Sequence, residues 1–175
     1  MPQIFARIAR LADGTAVELR PIRPEDEPLL QDIASHMTAE DLRRRFFAPV
    51  RGLSHDLAEQ LAHIDYEHGM ALVARTADGA TGLGAARFVA EPGDAGAEFA
   101  LGVRSDWQGR GLGRLLLGRL AEIAAARGVG ELYGLVLRDN ERMIGLARAM
   151  GFAITPHPAD AALVRVAKPL VQTVS

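Results

Sequence analysis

The sequence DWQGRGLGRLLLGRLAEIAAARG, residues 106–128, places glycines at 109, 111 and 113 directly before a long apolar run. The apolar run predicts a helix, which each glycine disfavours by about 1 kcal/mol relative to alanine. Glycine also permits main-chain conformations and close contacts that a Cβ atom prevents. Three glycines at the start of a helix therefore indicate that the main chain turns sharply there or approaches another group closely.

The segment as a whole predicts a strand, a glycine-rich loop and a helix, with the strand at Gly96–Val103. The first N–H groups of a helix have no partner inside it, and the helix dipole adds positive potential. Such a loop suits a phosphate group, and Arg110 and Arg114 add positive charge. The alternative is that the glycines only tighten the turn between strand and helix.

The spacing of the glycines discriminates between phosphate ligands. The chain has no Gly-Lys dipeptide, which excludes a Walker loop. The dinucleotide pattern Gly-x-Gly-x-x-Gly also fails, because its last position falls on Arg114 or Leu116. The pattern Gln-x-x-Gly-x-Gly fits Gln108, Gly111 and Gly113. This pattern resembles the acyl-CoA pyrophosphate loop of the GNAT acetyltransferase superfamily.

The composition is that of one soluble domain. The chain has 175 residues, 49% hydrophobic and 24% charged, with a net charge of −2. This size predicts a single domain over residues 1–175, and the charge predicts neither a nucleic-acid nor a membrane partner. The absence of cysteine excludes disulfides and thiolate metal sites. With no signal peptide or membrane span apparent in the sequence, we expect a cytoplasmic protein.

Local patterns along the chain predict a mixed sheet. Strands are predicted over 15–22, 70–76, 81–90, 96–103, 131–137, 152–157 and 161–167. Helices are predicted from Pro24 to residue 37, over 39–47 and 55–64 with Thr38 and Ser54 as N-caps, from the glycine turn to about Arg127, and over 140–150. The first half favours antiparallel pairing, and residues 96–137 form a strand–helix–strand crossover. The fold class expected is therefore α+β, a three-layer α/β arrangement with helices on both faces of a mostly antiparallel sheet.

The resemblance to GNAT enzymes extends over about residues 17–166. A second motif of that superfamily, Asn followed by a helix and Gly-Phe, is matched by Asn140 and Gly151-Phe152. Four segments, LRPIRPEDEPLLQ, RRRFFAPVRGLS, HIDYEHGMALVA and AEFALGVRSDWQGRGLG, resemble the GNAT domain of bacterial Pat-type protein lysine acetyltransferases. Those domains are often fused to an acyl-CoA-synthetase-like or cyclic-nucleotide-binding module, and neither fits in 175 residues, so we expect a stand-alone version.

The resemblance implies acetyl-CoA as acyl donor and an amine as acceptor, such as a lysine of an acyl-CoA synthetase. It implies that the pantetheine arm lies along strand 98–103 and pairs with its main chain. The residues expected to bind the cofactor are Leu101, Val103, Gln108, Gly109, Arg110, Gly111, Gly113, Arg114 and Asn140. Asn140 is also suited to cap the helix that follows it.

Glu98 is the candidate general base. Strand alternation places it on one face with Ala100 and Gly102, whose small size leaves that face open to a thioester or acceptor. Five strand steps put it roughly 16 Å from Val103, the separation needed between thioester and pyrophosphate. GNAT strands usually carry a bulge here, which would shift this alternation. The Pat-type resemblance also implies a catalytic glutamate at this position.

The general base and the general acid both have alternatives. Glu98 could instead be a solvated carboxylate at a strand edge. Glu91 and Asp94, which flank a turn nearby, are weaker candidates for the base. Many GNAT enzymes have a tyrosine that protonates the leaving thiolate at the position where this chain has Ala147. A thiol with a pKa near 8.5 can leave as thiolate without help; Tyr133 could supply the proton, although a structural role for it is also open.

The remaining features predict no metal and leave the acceptor open. His63 and His68 lack a ligand set at helical spacing, and acyl transfer needs no metal. The run RRRFF at 43–47 predicts a half-solvated helix face with Phe46 and Phe47 in the core; its arginines could instead dock an acidic patch of a protein substrate. Besides a protein lysine acetyltransferase, a small-amine acetyltransferase and a non-catalytic acyl-CoA sensor remain open.

Overall fold

The computed structural model describes residues 7–48, 50–90, 93 and 95–170. Its strands are β1 (Arg7–Arg10), β2 (Ala16–Pro21), β3 (Gly69–Thr76), β4 (Gly82–Ala90), β5 (Gly96–Val103), β6 (Glu131–Leu137), β7 (Ala153–Pro156) and β8 (Leu163–Pro169). Its helices are α1 (Glu27–Ser35), α2 (Ala39–Phe46), α3 (His55–Ala62), α4 (Leu112–Ala126) and α5 (Glu141–Ala149). A short 3₁₀ turn, Pro24–Asp26, precedes α1, so the first predicted helix begins as α-helix only at Glu27.

The eight strands form one sheet in the order β1-β2-β3-β4-β5-β6-β8-β7. Among the strands of the described residues, β5 and β6 are the single parallel pair, and α4 connects them. The mostly antiparallel sheet expected from the sequence is confirmed. The strand β1 was not predicted, because its four residues RIAR show little alternation and pair only along the sheet edge, with β2.

Helices cover both faces of the sheet, as predicted. The apolar side of α4, including Leu116, Leu117 and Leu120, packs with β3–β5 in the larger core. On the opposite face, α1 and α3 pack over Ala71 and Val73 of β3 in a smaller core. Because β3 is buried on both faces, it anchors the two layers to each other.

The end of α2 departs from the expectation. Phe47 was predicted in the core, but it is 46% exposed and follows the last residue of the helix. Its φ of 61° is the left-handed conformation, unusual for a bulky side chain. This turn of the main chain ends α2 and directs the Phe47 side chain out of the core.

A buried ion pair joins β2 to the turn before α1. The Arg20 guanidinium donates to both oxygens of Asp26 at 2.6 and 2.7 Å, and the N–H of Arg23 donates to Asp26 as well. Burial raises the pKa of the Asp26 carboxyl, but the hydrogen bonds from Arg20 and Arg23 outweigh it, so its pKa is lowered overall. The carboxylate therefore stays charged in the folded chain and holds the first helix against the sheet.

Both predicted caps are present, and one gives a test of the helical layer. The Ser54 hydroxyl accepts a hydrogen bond from the N–H of Leu57 at 3.1 Å, and Thr38 caps α2 in the same way. We expect Ser54→Ala to lower the free energy of unfolding by about 1 kcal/mol, the usual value of an N-cap. Urea denaturation measures this change. Ser35→Ala, at the end of α1, should have a smaller effect; equal losses for both would contradict the capping role of Ser54.

Candidate active site

A cleft opens where β5 and β6 separate. The parallel pairing covers Gly96–Glu98 against Glu131–Tyr133 and goes no further among the described residues. Beyond it, the cleft has a volume of about 740 Å³ and is lined by residues 99–103 on one side and by Leu135 and Val136 on the other. This volume is typical of a site for a cofactor-sized ligand.

A close contact marks the point of separation. The ring of Phe99, the first β5 residue after the last parallel pair, lies against Gly134 of β6. A Cβ atom on Gly134 would lie 2.7 Å from that ring, so a larger residue there would require the ring to move. Phe99 also packs edge-on against Phe152, with ring centroids 5.7 Å apart. The strand ends at the cleft are thus held by aromatic packing instead of a β-ladder.

The alternation predicted for β5 is observed. The β4–β5 register runs without a shift from the Gly84–Val103 pair to the Ala90–Ala97 pair, so the expected bulge does not interrupt it. Phe99 and Val103 are buried in the α4 core, whereas Ala100 and Gly102 line the cleft and are only partly buried. The small residues at 100 and 102 therefore lie at the cleft, as the sequence predicted, with the side chains of Met37 and Arg45 in contact range of Gly102.

The main chain of Leu101 and Val103 points into the cleft. The N–H of Arg104 donates to the carbonyl of Leu83 on β4. Because hydrogen-bonded pairs alternate along an antiparallel ladder, the even-numbered residues of β5 bond to β4, and the odd-numbered ones turn their N–H and C=O groups away from it. A ligand arm lying in the cleft would meet the N–H and C=O groups of Leu101 and the N–H of Val103, which suits the pairing expected for a pantetheine chain. The Val103 carbonyl already accepts a long hydrogen bond, 3.4 Å, from the Gln108 side chain.

The glycine loop presents a row of free N–H groups. Gly109 and Gly111 have φ values of 79° and 90°, which favour glycine, and Gly111 is the residue from which α4 starts. Within the described residues, the N–H groups of 109–114 donate to no carbonyl or side chain. Consecutive unpaired N–H groups at a helix start form a site for a phosphate group.

The two arginines of the loop behave differently. Arg110 turns away from the cleft. Its guanidinium donates to Asp13 at 3.0 Å and stacks over the ring of Trp107 at 3.9 Å. Arg114 is exposed, lines the cleft and forms no ion pair within the described part of the chain. Of the two predicted cofactor contacts, the geometry favours Arg114, and Arg110 would have to leave Asp13 to take part.

Gln108 fixes the floor of the cleft. Its side-chain amide donates to Asp41 of α2 at 3.0 Å and accepts from Arg142 of α5 at 2.6 Å. The Asp41 carboxylate also accepts from the hydroxyl of Ser105 at 2.6 Å. Gln108 thus connects the loop to the helices on both sides of the cleft, a role that its place in the motif did not reveal.

Asn140 both caps a helix and lines the cleft. Its Oδ1 accepts from the N–H of Met143 at 3.1 Å, which confirms the N-cap of α5. Its side-chain NH₂ group makes no hydrogen bond within the described residues and is open to the cleft. The capping role and the predicted cofactor contact are therefore compatible.

Comparison with known proteins agrees with this geometry. The sequence model of the acetyltransferase (GNAT) family matches residues 35–152. The chain belongs to the GNAT family. It is an acyltransferase, and the free N–H groups of the loop and the open strand edge fit the acetyl-CoA that this family uses as donor.

Several relatives share most of this chain. It is 30% identical to the acetyltransferase PA5475 of Pseudomonas aeruginosa, over 90% of this chain and 86% of that protein. It is 31% identical to the acetyltransferase Pat of Mycolicibacterium smegmatis, over 99% of this chain and 57% of that protein. The crystal structure of the GNAT domain of S. lividans PAT superposes with a TM-score of 0.89 at 26% identity, over 97% and 99% of the two chains. The GNAT fold and the likeness to Pat-type domains predicted from the sequence are confirmed.

Glu98 lies next to the cleft, one residue before Phe99, the first β5 residue that lines it. It is exposed, and it pairs in register with Tyr133, where the parallel pairing of β5 and β6 ends. It shares a strand face with Ala100, about 7 Å away along the strand, but it does not itself line the cleft. Its role as a base stays a prediction, and Glu91 and Asp94 lie outside the described residues.

The usual GNAT acid is missing, and Tyr133, the substitute considered, does not line the cleft. Ala147, at the position of the usual GNAT tyrosine, is fully buried. Tyr133 lies under the guanidinium of Arg165 at 4.5 Å and does not line the cleft. The thiolate of CoA therefore has no protein acid beside it among these candidates.

Part of the cleft comes from residues that the motifs did not indicate. They are Met37, Thr38, Asp41, Arg44, Arg45 and Phe47 around α2, and Arg142, Met143 and Leu146 of α5. Their positions depend on contacts between segments far apart in sequence, for which the local pattern carries no signal. The run RRRFF was the single hint of a role for α2.

The histidines considered for a metal lie elsewhere. His68 forms an exposed group with Asp65 and Glu67, and His63 bonds to the carbonyl of Glu59. Neither residue lines the cleft. Among the residues that the structure describes, every helix lacks the length and apolar character needed to cross a membrane.

Proposed function

We propose that the chain transfers the acetyl group of acetyl-CoA to an amine, in particular a protein lysine, by direct attack, with Glu98 as general base. The observation that carries this proposal is the cleft, which joins a row of free N–H groups at 109–114 to an open strand edge that ends beside Glu98. The 175 residues would act as one acetyltransferase domain.

The steps follow from the positions of these groups. The N–H groups of the loop would hold the pyrophosphate, and the main chain of Leu101 and Val103 would align the pantetheine arm. The acceptor amine would approach over Ala100, lose its proton to Glu98 and attack the thioester carbonyl. The C–N bond forms as the C–S bond breaks, and the thiolate leaves to take its proton from solvent.

A protein lysine is favoured as acceptor by the similarity to Pat-type domains. The cleft is also open along the face of Ala100 and Gly102, so a side chain presented by a large partner could enter it. A lysine of an acyl-CoA synthetase is one acceptor consistent with the resemblance.

The acceptor class is tested with labelled acetyl-CoA. We expect label on lysine Nζ atoms of a limited set of proteins when the enzyme is incubated with a cell extract, and much slower transfer to free polyamines, aminoglycosides and amino acids. Peptide mass spectrometry identifies the modified nitrogen. Label confined to small amines would contradict the protein-lysine proposal while leaving acetyl transfer itself intact.

A further inference from the structure

Two arginines flank the open face of β5. Arg87 of β4 lies directly opposite Ala100 in the strand register. The side chain of Arg45, in the last turn of α2, lies beside Gly102, where a Cβ atom would be in ordinary van der Waals contact with its Cδ atom at 3.6 Å. Both arginines line a cavity of about 50 Å³ that adjoins the cleft and shares Met37, Arg45 and Gly102 with it. The two guanidinium groups therefore flank the place where an acceptor would enter.

Neither guanidinium has a carboxylate partner within the described residues. The neighbouring arginines of α2 are paired: Arg43 bonds to Glu40 and Asp139, and Arg44 lies within 4.0 Å of Glu40. Arg45 makes no hydrogen bond or ion pair there and only stacks over the Phe46 ring at 4.6 Å. Of the three arginines in the run, Arg45 alone is thus left free to bind an anion.

Arg87 is similarly open. It donates one hydrogen bond, at 2.8 Å, to the carbonyl of Leu61. Arg87 makes no other hydrogen bond within the described residues, and its side chain lines the small cavity together with that of Arg45. Together the two side chains offer several N–H donors to a small planar anion.

The pair is held at an energetic cost. Burial, followed by the positive charge of Arg87, lowers the pKa of Arg45 to about 10. Burial likewise lowers the pKa of Arg87 to about 10. Both groups stay protonated at neutral pH, so two partly desolvated positive charges line one cavity without a counter-charge among the described residues. A carboxylate placed between them would relieve this repulsion.

We propose that Arg45 and Arg87 form a subsite for a carboxylate of the acceptor, so that the enzyme selects amines with a negative charge close to the reacting nitrogen. The inference rests on the acetyl-transfer function proposed above and specifies its substrate. Such an acceptor is a lysine beside an aspartate or glutamate, or a small amine that carries its own carboxylate. Glu98 would attract the ammonium group from one end of the open face, and the two arginines would hold the carboxylate from the other.

Matched acceptors test the subsite. Lysine peptides that differ only in Glu or Gln beside the lysine are assayed with saturating acetyl-CoA, and so are lysine and lysinamide. We expect the wild type to have a kcat/KM about tenfold or more higher for the acidic member of one pair, since a hydrogen bond to a charged group typically contributes that much. A preference among peptides points to protein acceptors and one among the amino acids to small amines, and either supports the subsite.

Variants then assign the preference to the two arginines. Arg45→Gln and Arg87→Gln should each abolish most of it, chiefly by slowing transfer to the acidic acceptor. Arg45→Lys keeps the charge but loses the planar donors, and should retain a smaller preference. Arg43→Gln, which removes a charge from the same helix outside the cavity, should keep the wild-type ratio. Circular dichroism and thermal denaturation show, independently of activity, that each variant is folded.

Three results would overturn the subsite. The first is equal rates for acidic and neutral acceptors in the wild type. The second is a preference for the acidic acceptor that survives both glutamine substitutions. The third is a preference for succinyl-CoA over acetyl-CoA that Arg45→Gln abolishes, while the ratio between acidic and neutral acceptors stays constant. The last would assign the arginines to the acyl group. Failure of the proposed function is distinct from all three, because then none of the acceptors would be acetylated although acetyl-CoA binds.

Discussion

Glu98→Gln should lower kcat for acetyl transfer by about 10²–10⁴-fold, the usual contribution of a general base. Glutamine keeps the size of the side chain but accepts no proton, so the amine would have to lose its proton to solvent. The dissociation constant for acetyl-CoA should not change, because Glu98 lies outside the lining of the cleft. Steady-state kinetics and calorimetric titration measure the two quantities separately.

Glu122→Gln is the matched control for the loss of one exposed carboxylate. Glu122 lies on α4, where it pairs with Arg7 and Arg119, and it does not line the cleft. We expect its kcat to equal that of the wild type. If Glu98→Gln retained the wild-type kcat, Glu98 would be a solvated strand residue, and another group, or solvent, would have to deprotonate the amine.

Gly111→Val should raise the dissociation constant for acetyl-CoA by about a hundredfold or more. Gly111 lines the cleft at the start of α4, and the space where its Cβ would lie is empty. A side chain there would fill the volume expected to hold the pyrophosphate. Losing two hydrogen bonds to a charged group, each typically about 1.5–3 kcal/mol, accounts for this change in affinity.

Backbone strain must be separated from this loss of binding. A valine at φ of 90° costs about 1–2 kcal/mol of stability wherever it occurs. Gly14, in the turn after β1, has a φ of 89° and equally empty surroundings, so Gly14→Val imposes similar strain outside the cleft. Calorimetric titration should show normal acetyl-CoA binding for Gly14→Val. Equal weakening in both variants would contradict a specific role for Gly111.

Gly113 is a less suitable position for this test. A Cβ atom there would lie 3.3 Å from Leu146 and 3.5 Å from Leu101. Gly113→Val would therefore crowd the Leu146 and Leu101 side chains as well as disturb the loop, and it should lower stability together with binding. Of the three glycines, 109 and 111 permit positive φ angles, whereas Gly113 permits close packing.

The sequence predicted the geometry of the glycine loop, of strand β5 and of the start of α5 because the signals for these features are local. The loop, the small residues at 100 and 102, and the cap at Asn140 each depend on a few adjacent residues. The missing Gly-Lys dipeptide excludes a Walker loop, and the spacing of the glycines excludes the dinucleotide loop. The likeness to GNAT domains then specified the fold over most of the chain.

The acceptor side was predicted poorly because its contacts are between distant segments. Nothing near Gln108 indicates that its amide bonds to Asp41, 67 residues away. The run RRRFF does not show which arginine is free, because Glu40, on the same helix, and Asp139, far along the chain, together occupy Arg43. The local sequence likewise does not indicate the left-handed conformation of Phe47 at the end of α2. This conformation leaves the side chain exposed, although the pattern predicted it in the core.

A crystal structure of the protein with CoA tests most directly that this cleft is the acyl-donor site. We expect the pyrophosphate to accept hydrogen bonds from N–H groups of residues 109–114 and the pantetheine arm to pair with the main chain of Leu101 and Val103. The thiol should then lie near Ala100, on the side that Glu98 can reach. CoA bound away from the glycine loop, or a pantetheine arm outside the gap between β5 and β6, would contradict the assignment of the cleft.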